Sequence, residues 1–230
     1  MNLEEFSNEF DILMDNARNG ESSIRSLNEY DKSIFLTEAQ EQLVKSYYDI
    51  FEQSEKAREA LNNLITSGST KIYEQEEEPE IIAANVRHYK LNSDIMFIIY
   101  EWCTIESDKK CLNNKKISVV PTTYDDLYKA LENPFRGPSD RRILRIDRPY
   151  NTTIMGAELI IPDKYTSSSE DITYNYRYIR KPKPIILENL GSLTIDNESN
   201  ATECELDASL HRTILEIAVK LALSTKANVK

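Results

Sequence analysis

Apolar residues recur at three- and four-residue steps through the first third of the chain and again near its end, whereas the stretch between runs in short apolar or alternating blocks. Leu3, Phe6, Phe10 and Leu13 predict one amphipathic helix, ended by the Asn19-Gly20 pair. Ile34, Phe35, Ala39, Leu43, Tyr47 and Phe51 continue the period, and Thr37 to Gln40 reads as the opening of a second helix. Ala57, Ala60, Leu61 and Leu64 predict a third within 53–66, with Gly68 of "SGS" as its left-handed cap. The last such pattern, "LDASLHRTILEIAVKLAL", sets Leu210, Ile214, Ile217, Ala218 and Leu221 on one face, behind Asp207 or Ser209 as cap.

The middle has a different texture. "DIMFIIYEWCTI", "KKISVV", "RRILRI", "AELIIP" and "TYNYRYIR" read as strands of a small mixed or antiparallel sheet. Among them "PTTYDDLYKALENP" is a compact helix, with Thr122 or Thr123 as N-cap, acids in its first turn and Asn133-Pro134 as its stop. The expectation is an α+β chain. A helical bundle core, made of the N-terminal helices plus the C-terminal helix, carries an inserted small β-rich region. Its divisions are a helical region over 1–68, an acidic linker over 69–80, the β-rich insertion with one short helix over 81–205, and the C-terminal helix and tail over 206–230.

Charge changes the picture because it is unevenly spread. The total is −11, but residues 1–80 hold 19 Asp+Glu against 7 Lys+Arg, a net of −12, and the remainder holds 20 against 21, a net of +1. An acidic front and a locally basic middle let one copy meet the next with complementary potentials; exposed helices solvated by carboxylates give the same count. No apolar run approaches the roughly 20 residues of a membrane span, and the acidic start "MNLEEFSNEF" is unlike a signal peptide, so no membrane role is expected. Cys103, Cys111 and Cys204 form no dense framework and read as reduced thiols, and for the same reason the sequons at Asn151, Asn197 and Asn200 are discounted.

Candidate chemistry is sparse. Five scattered glycines leave no phosphate loop or dinucleotide fingerprint, and His88 and His211 are the chain's whole complement of histidine. Three cysteines without a C-x-x-C pair argue against zinc. Glu158, Asp163 and Lys164 of "AELIIPDKY" are the residue types of a metal-dependent nuclease, but "YNYRYIRKPKP" supplies no further carboxylate. His211 reads as a boundary residue of its helix. No enzyme activity and no cofactor are expected.

The stretch "NPFRGPSDRRILRID" stands out. Arg136, Arg141, Arg142, Arg145 and Arg148, then Arg177, Arg180, Lys181 and Lys183, interleave with Phe135, Tyr150, Tyr174, Tyr176 and Tyr178. Arginine among aromatics suits stacking on bases and phosphate contact. Asp140 and Asp147 inside the cluster suit arginine–carboxylate pairing across a protein contact instead. A subunit or partner interface of Phe135, Arg136, Asp140, Arg141, Arg142, Arg145, Asp147, Tyr176, Arg177 and Arg180 is the expectation, with nucleic-acid binding by the same region as the alternative.

Five blocks in order, "LEEFSNEFDILMDN", "LNEYDKSIFLTEAQEQLVKSYY", "VVPTTYDDLYKALENPFRGPSDRRILRID", "YRYIRKPKPIILENL" and "CELDASLHRTILEIAVKLAL", span nearly the whole chain. In them the sequence resembles the head-to-tail connector ring or adaptor proteins of crAss-like Bacteroides phages. The resemblance implies a virion part made in the host cytoplasm and present as a homo-oligomeric ring of twelve copies. It would dock to the portal protein and to neighbouring connector or tail proteins, extend the DNA channel, and touch channel DNA passively.

Overall fold

The helical period of the first third folds, in the computed structural model, as α1 (Leu3–Ala17), α2 (Glu29–Tyr48) and α3 (Glu55–Leu61), and that of the C-terminus as α5 (His211–Ala227). The structure describes residues 1–17, 27–71, 85–107, 113–149, 155–165 and 170–227. Between the helices lie β1 (Ile65–Thr70), β2 (Val86–Lys90), β3 (Ile95–Ser107), β4 (Lys115–Pro121), α4 (Tyr124–Glu132), β5 (Arg142–Pro149), β6 (Met155–Ile160) and β7 (Glu170–Arg180). Contacts divide the chain into a unit of Met1–Leu64 with Lys181–Lys230 and a unit of Ile65–Arg180.

In the first unit α5 packs on α2 and α1, burying Phe6, Phe10, Leu36, Leu43, Ile214, Leu215 and Ala218. α2 opens earlier than its apolar period suggests, at the N-cap Asn28, whose side chain accepts from the Asp31 N–H. Thr37 and Gln40 therefore lie inside it, and they are buried with Ser33. These three polar groups hold an extended segment. Ser33 Oγ accepts from the Leu187 N–H at 3.0 Å, Thr37 Oγ1 from the Ile185 N–H at 3.1 Å, and Gln40 Nε2 donates to the Lys183 carbonyl at 2.8 Å. Helix steps of four and three residues advance about 6 and about 4.5 Å against about 6.6 Å for each two residues of extended chain, close enough for side chains to span the difference. Thr37→Val keeps the volume and removes the acceptor of a buried N–H. The expected loss is about 1–3 kcal/mol in denaturant unfolding, and one below about 0.5 kcal/mol would show that this row does not hold the segment.

The second unit is a mixed seven-stranded sheet in the order β1-β7-β3-β4-β5-β6-β2, curled into a half-barrel. All neighbours are antiparallel except β4 and β5, which α4 joins as the crossover that a parallel pair requires. Its inner face buries Tyr89, Cys103, Ile105, Ile117, Ile143, Leu159, Ile172, Tyr174 and Tyr176 in one cluster. The curl follows from side chains. Tyr89 on the end strand β2 packs edge-on against Tyr174 of β7, ring centroids 5.6 Å apart, although β3, β4, β5 and β6 stand between those strands in the sheet. Tyr89 also donates its hydroxyl to the Ile172 carbonyl at 3.2 Å. Outside, α4 covers the sheet with Leu127 and Ala130 against Leu144, Ile146 and Ile160. The chain enters this unit on β1 and leaves on β7, which pair with Ile65 opposite Ile179.

The expectation of a helical bundle core with a small β insertion is corrected by this sheet. The α+β mixture stands, but the strand region builds a large core of its own rather than decorating a bundle. Two strands escape the sequence pattern. "ITSGST" and "VRHYK" are the two end strands, paired on one side and carrying few apolar residues. Gly68 is accordingly not a helix cap but a strand residue lying under the ring of Tyr176, its register partner on β7. His211 is buried rather than at a boundary, packed tilted against Phe6 with Nε2 3.1 Å from the Leu206 carbonyl; burial lowers its pKa. The Asn19-Gly20 stop, most of the acidic linker, Cys111 and Tyr150 lie outside the described residues.

Candidate functional site

The arginine-rich stretch begins where α4 ends. Thr123 caps that helix, accepting from the Asp126 N–H. With Leu127 and Ala130 facing the sheet, the stripe flanking them carries Tyr124, Tyr128 and Leu131, exposed by 46, 60 and 37%. The stripe runs on to Phe135, which at 88% is the most exposed large apolar side chain among the described residues.

That exposure sits on a rigid support. Asn133 Oδ1 accepts from the Phe135 N–H at 2.9 Å, and the Asn133 carbonyl accepts from the N–H groups of Arg136 and Gly137, both at 2.9 Å. The Arg142 guanidinium reaches back to the carbonyls of Phe135 at 3.2 Å and Arg136 at 2.9 Å. A Cβ at Gly137 would come within 3.2 Å of the Ala130 carbonyl oxygen, so the turn folds closely onto the helix end. Ser139 and Arg142 close it with reciprocal backbone bonds of 2.8 and 3.0 Å. Asp140 pairs with Lys164 and lies 4.0 Å from Lys115; the Lys164 hydrogen bond holds its carboxyl below the ordinary range.

The remaining residues expected at an interface separate by burial. Phe135, Arg136, Asp140, Arg141, Asp147 and Arg177 are exposed, and Arg142 and Arg180 are half-buried. Arg145 and Tyr176 lie inside the chain's own core, at 6 and 0% exposure, and are withdrawn from any exposed surface. Arg145 alternates inward with Ile143, where Nε meets Glu101 Oε2 at 2.8 Å; its guanidinium also pairs with Asp147, and Tyr174 donates to the same Glu101. Burial, aided by Glu101, raises the Tyr174 pKa. Tyr178 is buried too, donating to Asp94 and accepting from Asn92. The tyrosines of β7 thus serve the core, and their rings do not offer a platform on which bases could stack. Sequence reasoning missed this inner network, since nothing local pairs Arg145 with a strand 44 residues earlier in the chain.

The nuclease-like triplet is committed elsewhere. Glu158 accepts from Arg148 at 2.6 Å with His88 Nδ1 3.6 Å away, Lys164 pairs with Asp140, and Asp163 accepts from Asn85. Among the described residues no group of three or more His, Cys, Asp or Glu is placed to hold a metal ion. Among them, too, no helix is long and apolar enough to cross a membrane.

Comparison with known proteins supplies the context that this surface needs. The family model "Phage tail ring protein 3/4" matches residues 1–230. "Ring protein 3" of Bacteroides phage crAss001 is 38% identical over an alignment covering 100% of this chain and 98% of the relative. "Ring protein 4/5" of the same phage is 34% identical, covering 96% and 92%. Matched along its whole length, through both the helical unit and the curled sheet, the chain belongs to the crAss-like phage tail ring protein family.

Proposed function

We propose that this chain is a structural subunit of one ring in the head-to-tail connector, assembling as twelve copies that join the portal to the tail and continue the DNA channel. The full-length match to ring proteins carries this reading. It acts by geometry and self-association rather than by catalysis. A heterologous contact repeated around an axis closes a ring when each copy shows one surface to the neighbour on one side and a different, complementary surface to the other. The exposed part of the arginine-rich stretch, Phe135, Arg136, Asp140 and Arg141, is the first of these surfaces. The excess of carboxylates in the first third suits a channel wall that repels phosphates and lets DNA slide.

A cryo-EM map of the virion tests this. The expected result is a twelvefold ring of this chain between portal and tail, with α4 and the turn after it at the seam between adjacent copies. A map that puts the chain outside the connector, or in single copies, overturns the reading.

A further inference from the structure

We propose that Phe135 of one copy plugs a cleft beside α3 in the next copy, with Arg136 pairing the carboxylates on its rim. The proposal rests on the ring reading above and names the contact that closes the ring.

The plug is described above: an aromatic ring almost wholly in water, on a turn already fixed by five hydrogen bonds to the Asn133 and Arg142 side chains and the Asn133 carbonyl. Exposing a phenyl ring costs the free chain hydration free energy, whereas prefixing its backbone removes the ordering cost that binding would otherwise carry. A flexible loop tip would hide such a ring against its own surface; this turn holds it out. Rigid, exposed aromatics of this kind are what dominate protein contacts.

The socket lies in the helical unit. Lys56, Glu59 and Ala60 of α3 and Asp207, Ser209 and Leu210 before α5 line a cleft of about 180 Å³. Its size is close to the roughly 150 Å³ cavity that accepts one benzene ring. Ala60 and Leu210 are its buried apolar members, at 8 and 4% exposure, while Glu59 and Asp207 are exposed carboxylates. The cleft is thus apolar within, and at its edge two carboxylates outnumber the exposed ammonium of Lys56, which leaves the rim net acidic. Phe135 is the apolar group of matching size, and Arg136, the next residue, brings the opposite charge in the guanidinium form that pairs best with a carboxylate. A second copy is therefore the occupant that the chemistry selects. Since plug and socket are different surfaces, the contact is heterologous and propagates from copy to copy.

Mass photometry of the full-length chain, alone and co-expressed with the other tail proteins of its phage, tests the pairing. Phe135→Ala is expected to raise the concentration needed for ring formation on the order of thirtyfold, with the monomer's circular dichroism and melting unchanged. Arg136→Glu and Glu59→Arg each weaken assembly, and combining them restores it, which a merely destabilising change at either site would not do. Wild-type rings together with unaffected variants, or a charge swap no better than its single changes, overturn the plug and leave the ring reading standing. A wild-type chain that forms no higher assembly under either condition overturns both.

Discussion

Arg145→Ala is expected to cost about 3–5 kcal/mol of stability in the sheet unit, because it removes one partner of a buried ion pair and strands the other. Arg145 and Glu101 are 6 and 5% exposed, meet over β4 from the strands on either side of it, and take in Tyr174 through its hydrogen bond to Glu101. Their attraction is not a large net gain, since taking both charges out of water costs about as much as the pair returns. The penalty comes from asymmetry: Glu101 without its guanidinium is a buried carboxylate satisfied by one tyrosine hydroxyl. The double change Arg145→Met with Glu101→Leu should therefore be milder than Arg145→Ala alone. Denaturant unfolding followed by far-UV circular dichroism, fitted with separate transitions for the two units, checks this. A loss under about 1 kcal/mol for the single change would mean that water reaches the pair. The same reasoning alters what a charge reversal at this position can report. Arg145→Glu would disrupt the monomer, whereas Arg141→Glu, on an exposed side chain, probes assembly without that confusion.

Gly68→Ala tests the other end of the sheet, and here two effects oppose. Alanine is the better strand residue by roughly 0.5–1 kcal/mol, since glycine loses more backbone freedom on folding. A Cβ at this position, however, would clash with the Tyr176 side chain, 2.4 Å from its Cε2 and 2.7 Å from its hydroxyl oxygen. The ring has nowhere to move. It is fully buried, its centroid lies 5.2 Å from that of Tyr174 and 5.6 Å from that of Tyr178, and its hydroxyl accepts from the Asn92 N–H. Overpacking wins, and the expected result is a net destabilisation of about 1–3 kcal/mol, seen as a lower melting temperature. Ser67→Ala and Ser69→Ala, flanking positions on the same strand, serve as controls and should stay within about 0.5 kcal/mol of the parent. A Gly68→Ala protein as stable as the parent would show that β1 slides to relieve the clash.

What the sequence made legible follows the physics of short range. Periodicity found α1, α4 and α5 and the strongly apolar strands, because one buried stripe or one buried face writes itself into neighbouring residues. It read Thr37 to Gln40 as the opening of a helix, whereas these side chains, with that of Ser33, lie mid-helix and hold the segment at 183–187, a partner that no local pattern reveals. It also put the tyrosines of β7 outside. A buried tyrosine needs a partner for its hydroxyl, and Glu101, Asn92 and Asp94 come from distant parts of the chain. The end strands β1 and β2 carry almost no pattern, since a strand at the margin of a sheet takes its place from backbone pairing more than from its side chains. Of the proposed contact surface, the sequence shows the turn but not the orientation of the arginines. "NPFRGP" announces a fixed turn with an aromatic at its tip, but which of the following arginines face outward depends on a strand register that the turn alone does not set.

The pairing of β1 with β7 has a consequence for how such proteins diversify. Because Ile65 stands opposite Ile179, the folded sheet holds the two ends of its own segment one strand spacing apart. To the helices, the excursion from 65 to 180 is then a hairpin-sized junction, and the closure entropy of a long unstructured insertion is absent once the sheet has folded. A segment with adjacent ends is a cassette. Its two ends meet the helical unit at the Leu64/Ile65 and Arg180/Lys181 junctions, the geometry that tolerates insertion or replacement of a whole segment.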